Sequence, residues 1–113
     1  MKLHEKEIAY LSGFLDGDGC LLSQIVRDSS YKRGFYIRIS INFYQKTKRH
    51  WFLLHLKHLL KDGSIVTRKD GMSVYTIVGK EPVRKMLILF KPHLKIKKSL
   101  ARLILRIIEE NSR

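Results

Sequence analysis

Two carboxylates, Asp16 and Asp18, alternate with Gly17 and Gly19, a pattern ordinarily found in a polar turn or as a fragment of a calcium loop. An EF-hand calcium loop would need more oxygen donors and a closing Glu twelve positions from its start. Leu21 and Leu22 follow instead, which excludes that loop. The acids sit at the end of a helix: Ile8, Leu11 and Leu15 fall on one apolar stripe, and Gly19 stops it. Ala9, Gly13 and Gly17, four residues apart, line one edge of that helix with small side chains, a spacing that lets another backbone approach. Two glycines inside a short helix cost about 1 kcal/mol each relative to alanine, so they need a packing reason. Acids at a helix C-terminus face the negative end of the macrodipole and require a nearby cation. A local conflict of this kind marks a functional site.

Other chemistry-bearing residues are less promising. His55 and His58 are three apart on one helix, but no Cys or acid lies beside them to complete a metal site. A single cysteine, Cys20, excludes an internal disulfide framework. The charge is more telling: 23 Lys and Arg against 10 Asp and Glu leave a formal net charge of +13 on 113 residues. Between Asp28 and Asp62 there is no carboxylate, while Lys32, Arg33, Arg38, Lys46, Lys48, Arg49, Lys57 and Lys61 fall there. The segment from Lys91 to Arg106 is likewise free of acids. Two such segments in one small domain favour a nucleic acid over an acidic membrane surface. No apolar run approaches the roughly 18 residues of a membrane span, and Glu5 and Glu7 are unlike a transit peptide, so no membrane is expected as partner.

The elements that must position these residues follow from periodicity. Leu21 to Val26 reads as a strand and Arg27 to Gly34 as a polar loop. Phe35 to Phe43 alternates, with Phe35, Ile37, Ile39, Ile41 and Phe43 apolar and Tyr36, Arg38, Ser40 and Asn42 between them. Thr47 to Lys61 is predicted helical and ends at Asp62-Gly63. Two short strands, Ser64 to Arg68 and Ser73 to Val78, flank a turn at Lys69-Asp70-Gly71. Pro82 opens a third helix and Pro92 breaks it. The last helix places Ile96, Leu100, Leu103, Ile104 and Ile107 on an inward stripe, with Lys98, Arg102 and Arg106 outward. The order αββαββαα over a single domain, residues 1–113, predicts an α+β fold: an antiparallel β saddle with helices on one face and the other face left for a partner. By strand parity Tyr36, Arg38, Ser40 and Asn42 face that partner, joined by Leu22, Gln24 and Val26. Ser30 and Tyr31 from the loop, and Arg68 and Thr76 from the second hairpin, complete the expected DNA contacts. Lys48 is expected to track phosphates.

The stretch Leu11-Ser12-Gly13-Phe14-Leu15-Asp16-Gly17-Asp18-Gly19 resembles the LAGLIDADG motif of homing endonucleases. Leu11, Gly13, Asp16, Asp18 and Gly19 match, Leu15 is a conservative exchange, and Ser12 and Gly17 replace alanines with other small residues. Gln45-Lys46-Thr47-Lys48-Arg49-His50-Trp51-Phe52-Leu53 resembles the family's entry to its second long helix. Lys91-Pro92-His93-Leu94-Lys95-Ile96-Lys97 resembles its proline-broken entry to a later one. With the element order, these matches make the chain similar to the single-motif homodimeric LAGLIDADG endonucleases encoded in group I introns of organellar ribosomal RNA genes. The likeness covers nearly the whole chain. Members of that group continue with further helices that contact the DNA backbone, whereas this sequence stops at Arg113.

The resemblance implies that Asp18 binds the catalytic divalent metal with the Gly17 carbonyl as a second ligand. It implies that Gln45, Arg49 and Lys97 position water and stabilise charge at the scissile phosphate, and leaves Asp16 to structure. Mg²⁺ is the expected cofactor, with Mn²⁺ as a substitute and no small-molecule cofactor. The expected partners are double-stranded DNA and a second copy of the chain, packed through Ala9, Gly13 and Gly17. The activity implied is cleavage of a long, nearly palindromic site that promotes intron homing. The implied setting is a chloroplast or mitochondrion, where the protein is made in place, or a bacterial or archaeal cytoplasm. A maturase acting on intron RNA, or a non-cleaving nucleic-acid-binding protein on the same fold, is the alternative. A basic coat protein would need neither the acid pair nor an Arg/Asn/Ser face.

Overall fold

Alternation along one long strand organises the whole molecule. The computed structural model describes residues 3–110, so residues 1–2 and 111–113 of the expected 1–113 domain lie outside it. The elements are α1 (Glu5–Asp18), β1 (Cys20–Arg27), β2 (Phe35–Lys46), α2 (His50–Leu60), β3 (Ser64–Thr67), β4 (Met72–Val78), α3 (Lys80–Phe90) and α4 (Lys98–Glu110). Single 3-10 turns, Thr47–Arg49 and Lys91–His93, precede α2 and follow α3. The four strands form one antiparallel sheet in the order β1-β2-β4-β3. On β2 the odd positions Ile39, Ile41 and Phe43 are buried, and the register pairs Ile41 with Ile77 and Phe43 with Tyr75. These side chains face α1 through Leu11 and Leu15, α2 through Leu53 and Leu56, and α3 through Val83, Leu87 and Phe90. All four helices therefore cover one face, as an antiparallel sheet with a single apolar side requires. No helix among the described residues is long and apolar enough to cross a membrane.

Two details follow from close contact. A Cβ at Gly63 would lie 2.5 Å from the Thr76 carbonyl oxygen, and the residue sits at φ 88°, so only glycine fits where α2 turns into β3. Beside it, the Tyr75 hydroxyl donates to the Asp62 carbonyl, and burial pushes the Tyr75 pKa up. The last helix departs from expectation. Ile104 is buried and Ile107 half-buried as expected, but Ala101 and Ile108 complete the buried face, Ile96 before the helix is 80% exposed, and Leu100 and Leu103 are exposed too. The helix is rotated so that Ala101 faces the core. Helix α3 starts two residues earlier than Pro82 suggested, from a Gly79 cap at φ 111°.

Candidate functional site

The C-terminal end of α1 treats its two acids differently. Asp16 accepts hydrogen bonds from the backbone N–H groups of Lys95 and Ile96, each at 3.0 Å, and of Lys97 at 2.7 Å. Burial works against its ionisation, but the N–H groups of Ile96, Lys97 and Lys95 and the Lys97 charge outweigh it, holding the carboxyl below its ordinary value. The Lys97 ammonium in turn donates to the Asp16 carbonyl at 2.5 Å. Since α1 carries no basic residue in its last turn, Lys97 is the cation its C-terminus needs. The helix closes with the Gly19 N–H donating to the Leu15 carbonyl at 3.1 Å. A Cβ at Gly19 would meet Leu15 Cδ1 at 2.6 Å, so the chain must leave the helix over a glycine.

Asp18, by contrast, is exposed and receives no hydrogen bond among the described residues. The Gly17 carbonyl beside it is also open. Two oxygen donors suit a hard divalent cation but cannot complete its shell, and no group of three His, Cys, Asp or Glu residues comes together among the described residues. The donor set fits such a metal only where ligands from outside this chain join it.

Gln45 and Arg49 meet at the far end of β2. Arg49 Nε donates to Gln45 Oε1 at 2.9 Å, and the Lys46 N–H donates to the same oxygen at 3.0 Å. The turn carrying Lys48 and Arg49 is pinned from beneath by Ser73, a fully buried residue on β4. Its hydroxyl lies 3.1 Å from Thr47 Oγ1 and 3.2 Å from His50 Nδ1. The Thr47 N–H also donates to the Gly71 carbonyl at 2.8 Å. Sequence reasoning missed Ser73 and the Lys95–Ile96 backbone. The only signal for Ser73 was a small polar residue at an inward strand position. Pairing of Cys20 with Asn42 puts the α1–β1 junction at the same end of the sheet as Gln45, and Lys97 reaches that junction through Asp16. Asp18, Lys97, Gln45 and Arg49 thus gather at one end of the fold.

The outer face of the sheet carries the remaining expected residues. Register places Leu22 beside Ser40, Gln24 beside Arg38, Val26 beside Tyr36, and Asn42 beside Thr76 on that face. Arg38 reaches Gln24 at 3.4 Å, and Tyr31 packs on Tyr36 with ring centroids 4.9 Å apart. Ser30 folds back on Asp28, donating from N–H and hydroxyl at 3.0 and 2.7 Å, which holds the Asp28 carboxyl below its usual value. Arg68 lies just past β3, bridged to Asp70 at 2.6 Å. Ser40 and Asn42 require a correction. Parity is right, yet only 1% and 6% of their surfaces are exposed. The Asn42 amide donates to Ser40 Oγ at 3.2 Å and accepts from Thr76 Oγ1 at 2.8 Å. Their polar atoms bond to one another along β2 and, through Asn42, to Thr76 on β4, so they are not free readers of anything above the sheet. None of the eight cations between Asp28 and Asp62 pairs with a carboxylate among the described residues, so this basic segment stays uncompensated.

On the helix edge, Ala9, Gly13 and Gly17 are exposed, and a Cβ built at Gly13 or Gly17 meets nothing within 4 Å. Nothing inside this chain requires the glycines. A glycine-bearing helix tipped by two unequal acids, set against a saddle with a bare outer face, defines a class. Residues 11–108 match the LAGLIDADG endonuclease family, and the chain belongs to that family. Among curated relatives it is 36% identical over 104 residues to the DNA endonuclease I-CvuI of Chlorella vulgaris, covering 92% of this chain and 65% of that protein. It is 35% identical over 109 residues to the DNA endonuclease I-CreI of Chlamydomonas reinhardtii, covering 96% and 66%. The crystal structure of I-CvuI in complex with its target in the presence of Ca superposes with a TM-score of 0.87 at 36% identity, over 92% of this chain and 66% of that one. The chain therefore spans just under two thirds of these relatives' length.

Proposed function

We propose that the chain is a divalent-metal-dependent, site-specific double-strand DNA endonuclease that acts as a homodimer and promotes intron homing. The observation that carries this is the division of labour between the acids: Asp16 is committed to the Lys95–Lys97 backbone, while Asp18 is free at the helix tip. The relatives' activity and the complex of one with its target DNA support the same reading. Pairing two copies through Ala9, Gly13 and Gly17 would bring two Asp18 carboxylates and two Gly17 carbonyls together to hold the metal, with phosphate oxygens as the further donors it would need. One motif per chain serves one half-site, so two-fold symmetry calls for a nearly palindromic target.

Mg²⁺, with Mn²⁺ as its substitute, supplies a Lewis acid that offsets charge on the attacked phosphate and eases deprotonation of water. The protein's own work is to hold and orient. Asp18 and the Gly17 carbonyl form the protein's share of the metal seat. Lys97, fixed through its bond to Asp16, brings positive charge beside that seat. The Gln45–Arg49 pair, stiffened by the Ser73 network, orders water and steadies the phosphate oxygens as negative charge gathers on them. The basic segment around Lys48 follows the DNA backbone, and the outer sheet face lies in the major groove. The setting that best fits the algal sources of both relatives is an organelle, with the protein made there. Incubation with Mg²⁺ and a plasmid library of candidate sites tests the proposal. Linear products with defined ends are expected; tight binding to intron RNA with no cleavage of any plasmid would point to a maturase instead.

A further inference from the structure

We propose that the inner part of each half-site, nearest the acid-tipped end of α1, is read through thymine methyl groups by an apolar strip formed by Leu22, Val66, Val74 and Val78. The inference rests on the DNA-binding reading above. Register aligns Leu22, Ser40 and Val78 in one row across the outer face, and Tyr44, Val74 and Val66 in another. Val66 and Val78 are 58% and 40% exposed, and Leu22 and Val74 are half-buried. The row between them holds Asn42 and Thr76, whose polar atoms bond to Ser40 and to each other. Ser64 is exposed at the end of that middle row, and the aliphatic groups the strip offers outward are chiefly those of Val66 and Val78. Of the hydrogen-bonding side chains of the same face, Gln24 and Arg38 lie farther from α1, toward the β1–β2 loop, while Arg68, just past Val66, is taken up by Asp70.

An aliphatic strip on the bare face of a strongly basic protein calls for an apolar counterpart. In the major groove that counterpart is the C5-methyl group of thymine, the one aliphatic group the base edges carry. Hydrogen-bond readout then belongs to the outer positions, under Gln24 and Arg38. Removing a methyl that packs against a valine should weaken binding about fourfold per base pair, the transfer value of one methyl-sized group.

The test uses two random-sequence duplex libraries, one containing thymine and one containing deoxyuridine throughout, bound by the same protein at fixed salt and then sequenced. The thymine library should enrich A·T pairs at the inner positions, and the uracil library should lose that preference while keeping the outer one. Val66→Ala and Val78→Ala, both at exposed sites, should flatten the inner preference in the thymine library and change nothing in the uracil library. Equal inner preferences in both libraries, or alanine variants that leave the thymine preference intact, overturn methyl readout and leave DNA binding standing. Enrichment of no sequence from either library overturns the DNA-binding reading, and this inference with it.

Discussion

The acid-tipped end of α1 and the outer face of the sheet are built on opposite principles. At the helix end, three backbone N–H groups converge on one carboxylate and a lysine returns to the carbonyl of the same residue. Position there is over-determined by main chain, which few substitutions can alter. On the outer face each side chain stands on a pleat with one or two lateral neighbours, such as Gln24 against Arg38. In the proposed function, chemistry that tolerates little displacement would sit on the first, and recognition that must vary from target to target on the second. The contrast predicts all-or-none effects at the helix end and graded ones on the sheet.

The sharpest break would come at Asp18. Asp18→Asn should abolish cleavage while leaving DNA affinity within about tenfold, because backbone and base contacts lie elsewhere. Metal-dependent cleavage surviving in that variant would remove Asp18 from the metal seat. Next in size is the dimer. Since a Cβ at Gly13 meets nothing in this chain, Gly13→Leu should leave the fold intact, and even gain the roughly 1 kcal/mol of helix propensity glycine forfeits. Sedimentation should nevertheless find it monomeric where the parent is dimeric; a dimeric Gly13→Leu, or a monomeric parent, would refute the helix-edge interface.

Asp16→Asn should act on stability, costing about 2 kcal/mol as a charged acceptor of three N–H groups becomes a neutral one. The sign of its pH dependence is set by the lowered pKa of the folded form. Its contribution is fully present above the ordinary carboxylate value of 3.8 and is lost as pH falls through the lower folded value. Urea denaturation from pH 7 to below pH 4 should show an acid decline that the variant lacks in part. On the sheet, Arg38→Ala should cost about 1–3 kcal/mol at particular base pairs, visible in a profile of singly substituted targets. A uniform loss at every position would mean that Arg38 touches phosphate. The smallest effect belongs to Lys48→Ala, which should weaken all sequences alike and reduce the salt slope by roughly one.

Element order and sheet sidedness were legible because each rests on a local period. The alternation from Phe35 to Phe43 could be read without a neighbour in view. The burial of Ser40 and Asn42 could not, because parity names a face but not the residues flanking it on adjacent strands. Around α4, the expected stripe Ile96, Leu100, Leu103, Ile104 and Ile107 shares Ile104 with the buried face Ala101, Ile104 and Ile108, and the spacing of the two is equally helical. Which stripe faces inward is set by contacts with other elements, a tertiary matter that spacing alone does not decide. The Asp16 clasp was foreshadowed only as a conflict, two acids at a negative helix end. Its resolution lies 79 to 81 residues along the chain, beyond the reach of any window.

That separation has a consequence for the order of assembly. Closing a loop of such length is slow relative to pairing neighbouring strands, because the entropy of the intervening chain must be overcome first. The clasp between Asp16 and Lys95–Lys97 is therefore expected among the late contacts to form, after the hairpins of the sheet. During synthesis, at about 5–20 residues per second, the motif helix emerges several seconds before the lysine it needs. A nascent or prematurely terminated chain can carry the whole acid motif yet lack the contact that fixes it. If the proposed cleavage holds, competence to cut is in this way tied to closure of a contact between distant parts of the chain.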